Sequence, residues 1–214
     1  VAITNSTALS GIVALPGAGS AVTIGGTGAF YYNGTGSTVS NNLTLAGGTL
    51  SAGTGNQIYS GSVTVQSATT STINMRDLNS EVISTAARNI NLSGVVSGTG
   101  ALTMNGASTL TLTGISTFNG ATTISGGKLV VNGSAANSAV TIGNGGTLAG
   151  SGTVGAVTVQ SGGFIAPGNS PGNIYVSTLT LEGGGGYNWE ITNVTGTAGV
   201  DWDFITVGGG TGAA

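Results

Sequence analysis

The 214-residue chain has no cysteine, no histidine, three prolines and three cationic side chains. Without cysteine there is no disulfide and no thiol chemistry. Without either residue, a Cys/His zinc site and a histidine-based triad are excluded. Three cations cannot neutralise a phosphate backbone, which removes nucleic acid as a partner. No apolar run approaches the roughly 18 residues of a membrane span, so no membrane insertion of this segment is expected. Charge of either sign is scarce. Charged residues make up 4% of the chain and the formal net charge is −3, against roughly 25% charged residues in ordinary domains.

Glycine is abundant instead, at 42 residues, and hydrophobic residues reach 39%. That apolar content argues against a disordered linker. The chain opens on Val1 without Met or a charged-then-apolar leader, as expected of a processed product or an excised segment.

A three-residue idiom of apolar, Thr or Asn, apolar recurs throughout. Val22-Thr23-Ile24, Leu43-Thr44-Leu45, Val63-Thr64-Val65, Leu102-Thr103-Met104, Val140-Thr141-Ile142 and Val157-Thr158-Val159 are examples. Alternation of period two in β-branched residues predicts short half-buried strands. Glycine pairs such as Gly47-Gly48 and Gly145-Gly146 punctuate them. The strands recur at about 20 residues: Val22, Leu43 and Val63, then Thr122, Val140, Val157 and Leu179. A soft repeat of that length predicts a β-solenoid of roughly ten coils, all-β with no substantial helix. At a coil spacing near 4.8 Å the rod would be on the order of 50 Å long.

Stacked coils account for the missing charge. Equivalent positions lie one above the next, and like charges at ~4.8 Å cost about 1 kcal/mol even in water. The 56 Ser and Thr residues stack without that penalty. An antiparallel sandwich is the rival architecture, since Leu102 and Leu110 sit only eight residues apart.

Residues 1–182 are assigned to solenoid repeats and 183–214 to C-terminal solenoid strands or a cap. Arg76-Asp77-Leu78-Asn79-Ser80-Glu81 and Arg88 interrupt the pattern and hold a cluster of charges. A loop or short helix, with Leu78, Val82 and Ala86 on one face, is expected there.

The run from Ile90 to Thr103, with its continuation Thr109-Leu110-Thr111-Leu112-Thr113-Gly114 and Phe118 to Leu129, resembles the autotransporter-associated β-strand repeat. Ile165-Ala166-Pro167-Gly168-Asn169-Ser170-Pro171-Gly172 resembles a phrase common near the end of such arrays. The resemblance covers roughly residues 38–207. It implies a right-handed parallel β-helix at the bacterial outer surface or outside the cell. It also implies a role as stalk, adhesive rod or fibre, with no catalytic residues in the repeat itself.

Motifs for chemistry are few. Gly150-Ser151-Gly152-Thr153-Val154-Gly155 has the spacing of a dinucleotide loop, but a strand follows rather than the required helix. Gly126-Gly127-Lys128 is followed by Leu129, not Ser or Thr, and is no phosphate-binding loop. Six N-x-S/T sequons occur at about the chance frequency. Asp201 and Asp203, at i and i+2, are expected as exposed carboxylates that keep an edge strand soluble. No catalytic, cofactor or metal residue is nominated, and no enzymatic activity is expected. The aromatics are the remaining candidates. Tyr187 and Trp189 share one expected strand face with Ile191, and Trp202 and Phe204 share another. They serve either to plug the end of the core or to stack on sugar rings. Phe30-Tyr31-Tyr32 is a candidate plug for the other end. The expected partners are other copies of the chain in head-to-tail stacks, other surface proteins, or glycans.

Overall fold

The structure, a computed structural model, describes residues 2–3, 21–32, 38–52, 56–74, 89–107 and 109–208. For Ala2, Ile3, Tyr31, Tyr32 and Ala52 it describes the backbone alone. The charged segment 76–88 and the helix expected around Leu78, Val82 and Ala86 lie outside these residues.

One coil shows how the sequence builds the fold. Asn42–Ala46, Thr49–Ala52 and Asn56–Tyr59 are three short strands in succession. Each belongs to a different sheet. Val63–Val65 then returns to the first sheet and pairs in parallel with Asn42–Ala46, Leu43 opposite Val63. The corner after Ala46 uses Gly47 at φ +88°, a conformation that glycine adopts without a Cβ penalty. Repeating this path gives sheets of five, eight and ten strands. Every pair of named strands among the described residues is parallel, as in Thr122 to Val140 and Val140 to Val157. No helix occurs among the described residues. The chain is an all-β parallel solenoid.

The antiparallel sandwich is thereby overturned. Leu102 and Leu110 lie in consecutive strands of one coil but in different sheets, Ala101–Asn105 in the second and Thr109–Leu112 in the third.

The eight strands of the third sheet run from Thr38–Val39 to Gly186–Tyr187, separated by seven steps along the axis. Seven turns is fewer than the ten expected, and at ~4.8 Å per step they span roughly 35 Å. Two stretches consume chain without adding turns. Asn56 and Asn89, neighbours in the third sheet, are 33 residues apart, and residues 188–203 leave the sheets before Phe204–Val207 rejoins the second.

Inside, alternation places equivalent residues in columns. Phe30, Leu50, Ile73, Met104, Ile124, Ile142 and Val159 follow one another through the second sheet, all at most 1% exposed. In the third sheet Ile90, Leu110, Leu129, Leu148 and Ile165 form another, and they too are buried. Full burial of each such side chain contributes about 1.5–3 kcal/mol. The Phe30 ring meets Tyr59 edge-on, with centroids 6.3 Å apart. The side chains of Tyr31 and Tyr32, expected beside it as a plug, lie outside the described ones.

Outside, neutral side chains stack in register. Thr49, Thr72, Thr103, Thr123, Thr141, Thr158 and Thr180 occupy one outward column of the second sheet. In the third sheet Asn89 Nδ2 donates to Asn56 Oδ1 at 2.8 Å, one rung away. Charges in either column would repel at every step, which is the physical content of the low charge count.

Candidate functional site

The inward columns do not end alike. Near the opposite end Ala2–Ile3 pairs with the strand of Val22 and Ile24, and those two residues, Phe30 and Val39 are buried. At the last rung the columns emerge into solvent. Leu181 continues the Phe30–Val159 column and is 51% exposed. Val207 follows Val154 and Val176 and is 54% exposed. Tyr187 follows Ile165 and is 39% exposed. Leu179 and Ile205 are partly buried against the core. Among the described residues, Thr178 to Leu181 pair with Ala156 to Val159 on one side and with nothing on the other. Among the described residues, this end is an apolar surface rimmed by an unpaired strand edge.

Beside it, residues 188–203 fold back on themselves. Ile191 and Trp202 form an antiparallel bridge, and Asp203 N donates to Glu190 O at 2.9 Å. Asp201 holds the tip of this excursion: its Oδ2 accepts from Thr197 N at 2.7 Å and its carbonyl from Thr192 N at 2.7 Å. The strand faces expected for Tyr187, Trp189 and Ile191 are therefore not formed, since only Gly186–Tyr187 of that stretch is a strand. Phe204 opens the strand Phe204–Val207, and Trp202 lies outside it.

Asp203 is the centre of the arrangement, and its expected exposure is corrected. It is 3% exposed. Oδ1 accepts from Gly172 N at 2.9 Å and Oδ2 from Glu190 N at 3.1 Å. Its carbonyl accepts from Trp189 Nε1 at 2.9 Å and from Tyr187 OH at 3.1 Å. Those donors belong to the Pro/Gly turn after Pro167 and to the extended stretch after Gly186. Desolvation, and secondarily the Asp203 carboxylate, raise the Tyr187 hydroxyl above the ordinary tyrosine value. The i, i+2 spacing of the two carboxylates carries no sign that a distant glycine amide waits for one of them.

The four aromatics thus fall into two groups. Tyr187 and Trp189 have their polar tips fixed on one carbonyl oxygen while their rings stay 39% and 52% exposed. Phe204 is 45% exposed, and Trp202 is half-buried in the bridge with Ile191. A shallow cavity of about 200 Å³ borders the Asp203 region and is lined by Lys128, Asn169, Ser170 and Glu190 among others. Both Asp203 carboxylate oxygens are already engaged there by backbone amides. No group of three or more His, Cys, Asp or Glu residues that could hold a metal occurs among the described residues. No described helix is long and apolar enough to cross a membrane.

No curated protein and no solved structure matches the chain. A family model does: residues 102–131 match the passenger-associated-transport-repeat. The matched stretch runs from Ala101–Asn105 through Thr109–Leu112 and Thr122–Ile124 to Gly127–Val131, two successive rungs of the second and third sheets. The chain therefore carries a passenger-associated-transport-repeat built into a parallel β-solenoid, in keeping with the β-helix repeats of autotransporter passengers.

Proposed function

We propose that this chain is a structural rod element of a surface-exposed or extracellular passenger-type protein, a stalk or fibre section without catalytic activity. One observation carries the reading: the inward apolar columns run from rung to rung and, among the described residues, emerge uncovered at Leu181, Tyr187 and Val207. A further parallel rung laid on that end would bury all three and satisfy the Thr178–Leu181 edge. Another copy stacked head-to-tail supplies such a rung, and a contact of that kind is heterologous and gives an open fibre. The near-neutral outer columns offer little repulsion to it.

Electron microscopy and light scattering of the purified chain test the assembly. Rods longer than one solenoid are expected, and Leu181→Asp with Val207→Asp should leave monomers of unchanged melting temperature. Monodisperse single solenoids from the unaltered chain would overturn the stacking.

A second reading, an adhesive rod that binds glycans, is favoured by Trp189 and Phe204, whose rings are half-exposed beside the clasp that Asp203 closes on the Gly172 and Glu190 amides. Sugar rings stack on such faces. Trp189→Ala should abolish glycan binding while the far-ultraviolet β signal is retained. Full binding by that variant would remove this reading.

A further inference from the structure

The outer face of the third sheet holds a groove of about 400 Å³. Two adjacent outward columns form it over four successive rungs. One column is Asn56, Asn89, Thr109 and Lys128. The other sets Asn91 and Thr111 between the apolar Ile58 and Val130. The Asn89–Asn56 bond of 2.8 Å fixes two of the amides. Each amide still has hydrogen-bonding capacity beyond that bond.

Among the described residues, the groove is lined by one positive side chain, Lys128. Its described lining contains no Asp or Glu. Lys128 is the only Lys or Arg among the described residues, it is exposed, and no described carboxylate pairs with it. The same lysine also lines the smaller cavity, together with Glu190 and Asp203. We propose that the groove binds one chain of an acidic polysaccharide, with a uronate carboxylate on the Lys128 ammonium, hydroxyls on the Asn and Thr rows, and C–H faces on Ile58 and Val130. Rungs ~4.8 Å apart offer a linear glycan a new set of donors and acceptors at each step, close to one sugar residue. This site is separate from the solenoid end and from Trp189, and it does not depend on assembly.

Titration calorimetry on the full chain with trigalacturonate, and with its fully methyl-esterified and hence neutral counterpart, tests the proposal. The acid is expected to bind at least ten-fold more tightly than the ester, with the difference shrinking as salt rises. Lys128→Gln, at an exposed position that leaves the core untouched, should bring the acid down to the ester's affinity and leave the ester unchanged. Asn89→Ala should weaken both ligands together. Equal affinities for acid and ester, undiminished binding by Lys128→Gln, or no acid binding at millimolar concentration would each overturn the assignment.

Discussion

The carboxylate of Asp203 accepts the backbone N–H of Gly172 at 2.9 Å, across 31 residues of chain. Its second oxygen takes the Glu190 amide. One buried side chain thus joins the Pro/Gly turn to the excursion that precedes the last strand. Hydrogen bonds to a charged acceptor contribute about 1.5–3 kcal/mol each. Asp203→Ala is expected to destabilise the region by about 2–4 kcal/mol, partly by leaving two amides without an acceptor. Both tryptophans of the chain, Trp189 and Trp202, lie in this excursion. Their fluorescence should therefore shift well before the β signal melts, and coincident transitions would count against the clasp.

Tyr187 adds an alkaline edge to the same region. Its hydroxyl is raised above the ordinary value of 10.0, first by burial and then by Asp203. The folded state therefore favours the protonated phenol. The resulting stability is complete below pH 10 and declines as pH rises through the elevated value. Tryptophan fluorescence should report loosening only above pH 10, and Tyr187→Phe should flatten that dependence while costing about 1 kcal/mol for the lost hydrogen bond.

Two glycines separate conformational strain from collision. Gly150 sits at φ +104°, and a Cβ there would lie 2.2 Å from the Val131 oxygen of the preceding coil. Gly145 has φ +79° with nothing within 4 Å of the same atom. Gly145→Ala should cost about 1–2 kcal/mol from the backbone alone. Gly150→Ala should cost clearly more, since the coils must move apart, and urea melts of the two variants make the comparison.

The threonine column gives a direct test of why the chain carries so few charges. Thr103, Thr123 and Thr141 are consecutive rungs. A single Thr123→Asp should be tolerated. Changing all three to Asp adds two like-charge contacts at ~4.8 Å, or about 2 kcal/mol at low salt. Added salt should restore most of that loss. A salt-independent penalty would point to packing instead.

Much of the solenoid could be read from the chain. The residues that set the 20-residue spacing are true neighbours: Val22 with Leu43, Leu43 with Val63, Thr122 with Val140, Val140 with Val157 and Val157 with Leu179. Period-two alternation and stacking are local rules, and the residues display them directly. The number of turns was less legible, because chain between Asn56 and Asn89 counts toward length but not toward rungs. The solenoid end was the hardest part. Asp203 looks like any surface acid until Gly172 and Glu190 close around it, and that closure depends on a fold-back that no periodicity announces. In sequence Lys128 shows only the remnant of a phosphate-loop pattern, because its outward neighbours Asn56, Asn89 and Thr109 belong to three other coils.

The ladder bonds that join each coil to the next point along the rod. Tension applied to the two ends would load them in the opening direction, one turn at a time, rather than shearing many together. Successive coils hold between 17 and 33 residues, as the Val140–Val157 and Asn56–Asn89 partners show. Each rupture would then release roughly 60 to 110 Å of slack. A solenoid loaded in this way would yield in small instalments and keep the rest of its length intact, like a line let out under load rather than a bar that snaps.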